Sequence, residues 1–181
     1  MVNNGLICND GLYEMDFPLL EEQAADPDAK IMILCSPHNP VGRVWTKEEL
    51  ARVGEICKKN NVLVIADEIH SDLVYAGYVH TPFALASDAP HLLCTSLGKT
   101  FNVAGLRLAN IFSSSAELKK QYDQEIDAYS YSASNTFGLE MVQAAYSPEG
   151  EAWLEELLVY LQGNVEVVSE WCQKHNVGFT A

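Results

Sequence analysis

The sequence predicts an α/β fold, because short apolar runs alternate along it with helical patterns. The runs are IMILC, VLVIA and HLLCT, at residues 31–35, 62–66 and 91–95. Each run is continuously apolar, as strands are when a parallel sheet buries both of their faces. Alternation of such strands with helices is typical of a mainly parallel sheet.

The segment between the first two strands has the marks of an amphipathic helix. Thr46 and Glu49 have the spacing of a capping box, and Leu50, Val53 and Cys57 share one helical face. We therefore expect one strand, helix, strand unit here.

Three more elements are predicted after the third strand. Residues 106–112, LRLANIF, are predicted as a strand and residues 116–127 as a helix. From Glu149 to His175 the apolar spacing fits a helix of about seven turns, interrupted only by Gly163 and Asn164. A helix of this length is typical of a connector between domains.

Composition limits the kinds of partner. The chain has 181 residues and is 48% hydrophobic, which suits one globular domain. Its net charge of −14, from 25 acidic and 11 basic residues, argues against a nucleic-acid or anionic-membrane surface, since both need clustered cations. We expect a small-molecule partner and a local anion site.

The cysteines predict a reducing compartment. They are far apart and odd in number, so we expect buried thiols rather than a disulfide framework or zinc site: Cys8, Cys35, Cys57, Cys94 and Cys172. No two of the histidines considered, His38, His70 and His80, share a metal-binding spacing, so no metal is expected. No signal peptide or apolar span is recognisable, and we expect a cytoplasmic protein.

Polar residues follow each of the three strands. In open α/β sheets, ligands bind outside the carboxyl ends of the strands. That rule places Asn39, Asp67 and Lys99, with Ser96 and Arg107, near one edge of the sheet.

These residue types suit a pyridine cofactor that carries a phosphate. Lys99 offers an amine nucleophile, and Asp67 a carboxylate that keeps a ring nitrogen protonated. Ser96 and Arg107 offer a hydroxyl and a guanidinium to a phosphate. Taken singly, each residue is more often a solvated cation, a helix cap or a surface ion pair; their joint order at strand ends favours the site.

Three motifs carry a family resemblance. They are N-P-x-G at Asn39–Gly42, the pair Asp67–Glu68, and S-x-x-K-x-F-N-x-x-G-L-R from Ser96 to Arg107. With them the chain resembles the fold-type I pyridoxal-phosphate family, the aspartate aminotransferase superfamily. SPHNPVGRVWTKEEL and ADEIHSDLVY look most like its MalY/PatB-like cystathionine β-lyase, or C-S lyase, branch.

The resemblance implies a cofactor, pyridoxal 5'-phosphate, and a role for each site residue. Lys99 forms the Schiff base, Asp67 pairs with the pyridine nitrogen, and Asn39 hydrogen-bonds the phenolic oxygen. Ser96 and Arg107 hold the phosphate, although some C-S lyases lack the arginine.

His70 stands where many aminotransferases have a tyrosine that reaches the same phenolic oxygen. This difference favours the lyase branch.

The resemblance also implies a larger architecture. The fold is a three-layer sandwich with a mainly parallel sheet, and this chain is the central and C-terminal part of the large domain. Residues 1–148 are expected to be part of the cofactor-binding domain, and 149–181 a connecting helix that leads to a small domain outside the chain. By this resemblance the full-length protein is expected to be a homodimer.

Three functions follow from the resemblance. The first is a lyase that cleaves cystathionine or related cysteine conjugates to a thiol, pyruvate and ammonia. The second is an aminotransferase. The third is a regulatory protein that uses the same scaffold to bind a transcription factor.

Overall fold

The structure is a computed structural model, and it describes residues 1–131 and 135–180. Within those residues a hairpin precedes a four-stranded sheet. The strands are β1 (Ile7–Asn9), β2 (Leu12–Glu14), β3 (Ile31–Cys35), β4 (Leu63–Asp67), β5 (His91–Thr95) and β6 (Asn110–Ser113).

Helices follow or separate the strands. They are α1 (Phe17–Ala24), α2 (Lys47–Lys59), α3 (Phe83–Ala86), α4 (Leu97–Thr100), α5 (Ala116–Ala128), α6 (Thr136–Ala145) and α7 (Pro148–His175). The predicted helices at 116–127 and 149–175 are confirmed. The interruption expected at Gly163 and Asn164 is wrong, because α7 runs on through both residues.

The sheet has the order β3–β4–β5–β6. Its first three strands are parallel and β6 is antiparallel to β5, so the mainly parallel sheet is confirmed. Register places Cys35, Asp67 and Cys94 side by side on three neighbouring strands. The carboxyl ends of β3, β4 and β5 therefore meet at one edge.

The capping box at the start of α2 is confirmed. Thr46 Oγ1 accepts from the backbone N–H of Glu49 at 3.1 Å, and Glu49 Oε2 accepts from the N–H of Thr46 at 2.7 Å. Both groups would otherwise be unpaired donors of the first turn.

The strand predicted at residues 106–112 begins too early. Leu106 ends a 3-10 turn, Ala104–Leu106, and Arg107 has φ of 50° in the left-handed region. A left-handed residue cannot continue an extended strand. The strand begins instead at Asn110.

The sequence analysis does not predict the β1–β2 hairpin or the helices α1, α3, α4 and α6. The hairpin turn has φ of 50° at Asp10 and 88° at Gly11. Two successive positive values are typical of a type I′ turn, for which Asp-Gly is a favoured pair.

One face of the sheet packs against helices. Leu34, Ala66 and Leu93 are aligned by register on that face, with Val64 two residues before Ala66. They belong to a buried cluster that includes helical side chains: Leu20, Leu50, Val53, Cys57 and Phe83. Each buried side chain of this size contributes about 1.5–3 kcal/mol, which holds the strand ends in place.

The opposite face is more open. Ile33 of the edge strand β3 points to that face, between the buried positions of its neighbours, and is 68% exposed. Ile65 is the register partner of Ile33, and Asp67 follows Ile65 by two residues. Asp67 therefore lies on the same face of the sheet as Ile33.

The cysteines differ in burial. Cys57 and Cys172 are buried and Cys35 and Cys94 are half-buried, but Cys8 is exposed, so the expectation of a buried thiol is wrong there. Cys8 lies in the two-stranded hairpin, away from the main core. Burial raises the pKa of Cys57 to about 11.

Across residues 1–131 and 135–180, no helix combines the length and the apolar character that a bilayer crossing requires.

Candidate active site

The predicted site residues gather at the carboxyl edge of the sheet. Asn39 lies in the loop after β3, Asp67 ends β4, and Ser96 and Lys99 follow β5. Because these strands are parallel neighbours, their ends deliver the polar groups to one region.

Asp67 is half-buried, and its register partners on the two neighbouring strands are Cys35 and Cys94. Its Oδ1 accepts from the N–H of Ile69 at 3.4 Å, a long bond that leaves most of the carboxylate's acceptor capacity for another donor. Burial, followed by the charges of Asp67 and Glu68, raises the pKa of Cys94. The site therefore has a carboxylate whose negative charge acts on its surroundings.

Lys99 lies in α4, a helix of four residues. Ser96 caps its N-terminus, since Ser96 Oγ accepts from the N–H of Gly98 at 3.0 Å. A Cβ at Gly98 would lie 3.2 Å from the Cα of Ala104, so a glycine permits this close approach. The Lys99 side chain is exposed and has no ion pair with any residue that the structure describes.

The Ser96 hydroxyl has a structural task as well. Ser96 Oγ donates to the carbonyl of Leu108 at 2.7 Å. A hydroxyl has one proton to donate. Ser96 must therefore exchange the Leu108 carbonyl for a phosphate oxygen before it can serve as a phosphate donor.

Arg107 presents a cation close to this loop. Its side chain is exposed and forms no ion pair within residues 1–131 and 135–180. The preceding carbonyl, of Leu106, accepts from Asn135 Nδ2 at 2.6 Å. Because Arg107 has no ion pair among the described residues, its guanidinium is available to an anion.

Three buried polar atoms in the loops that follow β3 and β4 have no hydrogen-bond partner among the described residues. They are Ser36 Oγ, His38 Nδ1 and His70 Nδ1. An unsatisfied buried polar atom costs about 1–3 kcal/mol, so a bound group that supplies partners is favoured here. Burial also lowers the pKa of His38, which keeps its imidazole neutral.

Asn39 is exposed in a tightly held loop. Its backbone N–H donates to Cys35 Sγ at 3.3 Å, and the peptide bond to Pro40 is cis. Arg43 binds Glu49 of α2 through both carboxylate oxygens, at 2.8 and 2.9 Å, which fixes the far end of the loop. The Asn39 amide has no hydrogen-bond partner in the part of the chain described.

These groups fit pyridoxal phosphate. Asp67 retains acceptor capacity for a pyridinium N–H, and His70 retains an unpartnered ring nitrogen. Lys99 offers a primary amine and Arg107 a guanidinium. A carboxylate, two cations and an imidazole at one sheet edge match the ring, aldehyde and phosphate of that cofactor.

No sequence pattern predicts one buried contact, between Glu68 and His80. Glu68 is 1% exposed, and its carboxylate accepts from the N–H of Phe83 at 2.7 Å. Its other oxygen lies 2.8 Å from His80 Nε2. The contact fixes the end of the loop 69–82, which contains His70.

Side chains that could ligate a metal do not cluster in the described part of the chain. No group of three or more histidine, cysteine, aspartate or glutamate side chains comes together there. His80 contacts Glu68, whereas His38 packs edge-on against Trp45 at 5.8 Å between ring centroids.

Comparison with protein families gives a match over most of the chain. The model of the family described as aminotransferase class I and II matches residues 10–181.

Individual relatives are similar over the same range. The chain is 39% identical over 168 residues to cystathionine beta-lyase PatB of Bacillus subtilis (strain 168), covering 91% of this chain and 43% of that protein. It is 34% identical to protein MalY of Escherichia coli (strain K12), covering 91% of this chain and 41% of MalY. The chain thus spans less than half the length of these relatives.

A solved structure supports the fold. The PLP-bound C-S lyase from Staphylococcus hominis superposes with a TM-score of 0.88 and 36% identity. The superposition covers 96% of this chain and 44% of the lyase.

Proposed function

The chain belongs to the aminotransferase class I and II family, and from this premise we propose that the whole protein is a pyridoxal-phosphate-dependent carbon–sulfur β-lyase. Its proposed substrates are cystathionine and related cysteine conjugates, which it cleaves to a thiol, pyruvate and ammonia. The proposal rests on one observation above all. The sheet edge combines a half-buried carboxylate, Asp67, with an amine, Lys99, that has no ion pair among the described residues.

Each residue of the edge has a proposed task toward the cofactor. Lys99 Nζ attaches it covalently, and the Asp67 carboxylate holds the proton on its ring nitrogen. Asn39 and His70 orient its phenolic oxygen. Ser96 and Arg107 bind its phosphate.

When bound, the cofactor supplies an electron sink for the charge that develops at the substrate α-carbon. With the cofactor bound, the Lys99 amine would be the general base that takes the substrate α-proton. Asp67 maintains the positive charge of the ring by keeping its nitrogen protonated. The described residues thus provide both the base and the electrostatic support for elimination of the thiolate.

Similarity favours the lyase over its alternatives. The PatB relative is named a cystathionine β-lyase, and the superposed structure is named a C-S lyase. The description of the family itself favours a second candidate, an aminotransferase. Both reactions use the same lysine and aspartate, so the site residues do not separate them.

The rest of the assembly is proposed on the same grounds. Residues 1–148 form part of the cofactor-binding domain, and 149–181 form a connecting helix that leads to a small domain. The partial coverage of the relatives and the 28-residue length of α7 support this division. We propose a homodimer in the cytoplasm, with a small amino acid as the substrate.

One assay on the whole, cofactor-loaded protein separates the candidates. Pyruvate release from cystathionine supports the lyase, and amino transfer from an amino acid to 2-oxoglutarate supports the aminotransferase. Lys99→Ala is the matched control and should abolish either activity. Absence of both activities would contradict the enzyme proposal and favour a regulatory binding protein.

A further inference from the structure

The helix that carries Lys99, α4, is too short to be stable without contacts from the rest of the chain. It has four residues, and isolated helices of this length are unstable because nucleation is costly. Contacts with the surrounding chain must therefore set the direction of Lys99. The Ser96 cap provides one contact, at the N-terminal end of α4.

A second contact holds the other end of α4. Thr100 follows Lys99 and is 2% exposed. Its Oγ1 donates to Asp72 Oδ2 at 2.9 Å, across 28 residues of sequence. A hydrogen bond to an ionised acceptor is stronger than one between neutral groups.

Asp72 lies in the loop 69–82, two residues after His70. The N–H of Ser71 donates to the Glu68 carbonyl at 3.0 Å, and the Glu68 carboxylate holds the N–H of Phe83 at the far end of the loop. The loop is thus fixed at both ends, and Asp72 offers α4 a firm anchor.

The charge of Asp72 also acts on a third segment. Burial raises the pKa of Tyr146, and the negative charge of Asp72 raises it further. Tyr146 ends α6. Asp72 thus binds α4 from the loop 69–82, and its charge also acts on the end of α6.

We propose that Asp72 and Thr100 are positioning residues that fix Lys99 relative to His70. The inference rests on the proposed attachment of the cofactor to Lys99. Without the Asp72–Thr100 hydrogen bond, the C-terminal end of α4 would lose its side-chain hydrogen bond to the loop 69–82, and Lys99 Nζ would sample directions that do not favour attachment. Neither residue is required to contact the cofactor itself.

The test measures how fast the whole protein, freed of cofactor, forms its covalent bond to added pyridoxal phosphate. Thr100→Val keeps the side-chain shape and removes the hydroxyl, whereas Thr100→Ser keeps the hydroxyl. We expect attachment to slow roughly tenfold or more in the valine variant and to change little in the serine variant, since the bond lost involves a charged group. Faster amide exchange at Phe101 and Asn102 should accompany the valine change without any cofactor.

A background that lacks Lys99 separates positioning from general damage. In Lys99→Ala, adding Thr100→Val should leave the non-covalent affinity for pyridoxal phosphate unchanged. An equal loss of affinity in that background would show that Thr100 shapes the whole pocket, and would overturn the positioning role.

A double-mutant cycle tests the partnership. Because the two residues act through one hydrogen bond, Asp72→Ala with Thr100→Val should attach cofactor about as slowly as the slower single variant. If the rate losses of the two single variants multiplied in the double variant, or if both single variants attached cofactor at the wild-type rate, the inference would be overturned. If Thr100→Val does not fold, Asp72→Ala and Asp72→Asn give the same comparison. Cofactor attachment should slow in the alanine variant and change less in the asparagine variant, which keeps an acceptor oxygen. Failure of the unaltered protein to attach cofactor at Lys99 would contradict the proposed function instead.

Discussion

Arg107 shows how a single residue can be held in a costly conformation beside a binding region. Its φ of 50° costs roughly 1–2 kcal/mol for a residue with a Cβ. The Arg107 N–H donates to the Ala104 carbonyl at 3.0 Å, and Asn135 binds the carbonyl of Leu106. Strained residues of this kind cluster at ligand sites, which supports the proposed role of Arg107 toward a phosphate.

The residue that we expect to attach the cofactor is Lys99. Borohydride reduction of the whole, cofactor-loaded protein should fix a pyridoxyl group, and peptide mapping should find it on Lys99. The reason is that Lys99 is exposed at the sheet edge with no ion pair among the described residues. Lys58, which is paired with Asp88, is the internal comparison and should carry no label. A pyridoxyl group on another lysine would remove the central proposal.

Asp67→Asn should leave the cofactor bound and lower turnover about a hundredfold or more, because a neutral amide cannot hold the ring nitrogen protonated. Turnover and cofactor absorbance of the purified variant are the two measurements. Asp88→Asn, at an exposed position paired with Lys58, is the control and should retain full turnover. Normal turnover in a folded, loaded Asp67→Asn protein would contradict the electronic role.

Single residues were predictable where the information is local. The strand-end rule placed Asp67 and Lys99 at one edge because the strands themselves were readable. The contacts of Glu68 with His80 and of Asp72 with Thr100 join residues 12 and 28 positions apart, and no periodic pattern records them. The same limit explains Cys8, whose apolar neighbours lie in a small hairpin rather than in the core.

Elements follow the same distinction. The start of α2 was predictable because a capping box involves residues only three positions apart. The start of β6 was not, since the left-handed turn at Arg107 adjoins a contact between Leu106 and the distant Asn135. The length of α7 was predictable from its apolar spacing. Its continuity through Gly163 was not, because a glycine weakens a helix but does not by itself end one, so the residue type does not decide between the two outcomes.

The cap of α2 gives a stability prediction for an element. Thr46→Ala should lower the free energy of unfolding by about 1 kcal/mol, since the N–H of Glu49 loses its acceptor. Thr46→Ser keeps the oxygen and should be nearly neutral. Denaturant unfolding of the two variants checks this difference. Equal stabilities for alanine and serine would show that the hydroxyl at position 46 does not contribute to the stability of α2.

The whole molecule combines a strong negative charge with a local cationic region. Its net charge is −14, yet Lys99 and Arg107 both lie beside the sheet edge with no ion pair within the described residues. An acidic surface repels anions at long range, whereas unpaired cations attract them within about 8–10 Å at physiological salt. A phosphate site on this protein therefore depends on contacts at close range.

Open apolar surface is the other feature of the whole molecule. Ile33 on the edge strand β3 is 68% exposed, and on α7 Val159 and Tyr160 are 75% and 68% exposed. Edge strands of the buried type tend to pair with other chains, and large apolar patches mark surfaces that are covered in an assembly. These surfaces support the proposal that further chain and a second subunit complete the protein.

We predict that residues 1–181 produced alone form non-native oligomers through these apolar surfaces and have no lyase activity. The whole protein is expected to be an active homodimer. Light scattering and a pyruvate assay with cystathionine, run on both proteins in parallel, measure the two halves of the prediction. Ile33→Lys, placed in the 1–181 chain, is the matched variant: a charge on the exposed edge should reduce association without restoring activity. A monomeric 1–181 chain that releases pyruvate would show that the described residues suffice for the chemistry. An associated but active chain would contradict only the predicted loss of activity, because the surface argument would stand.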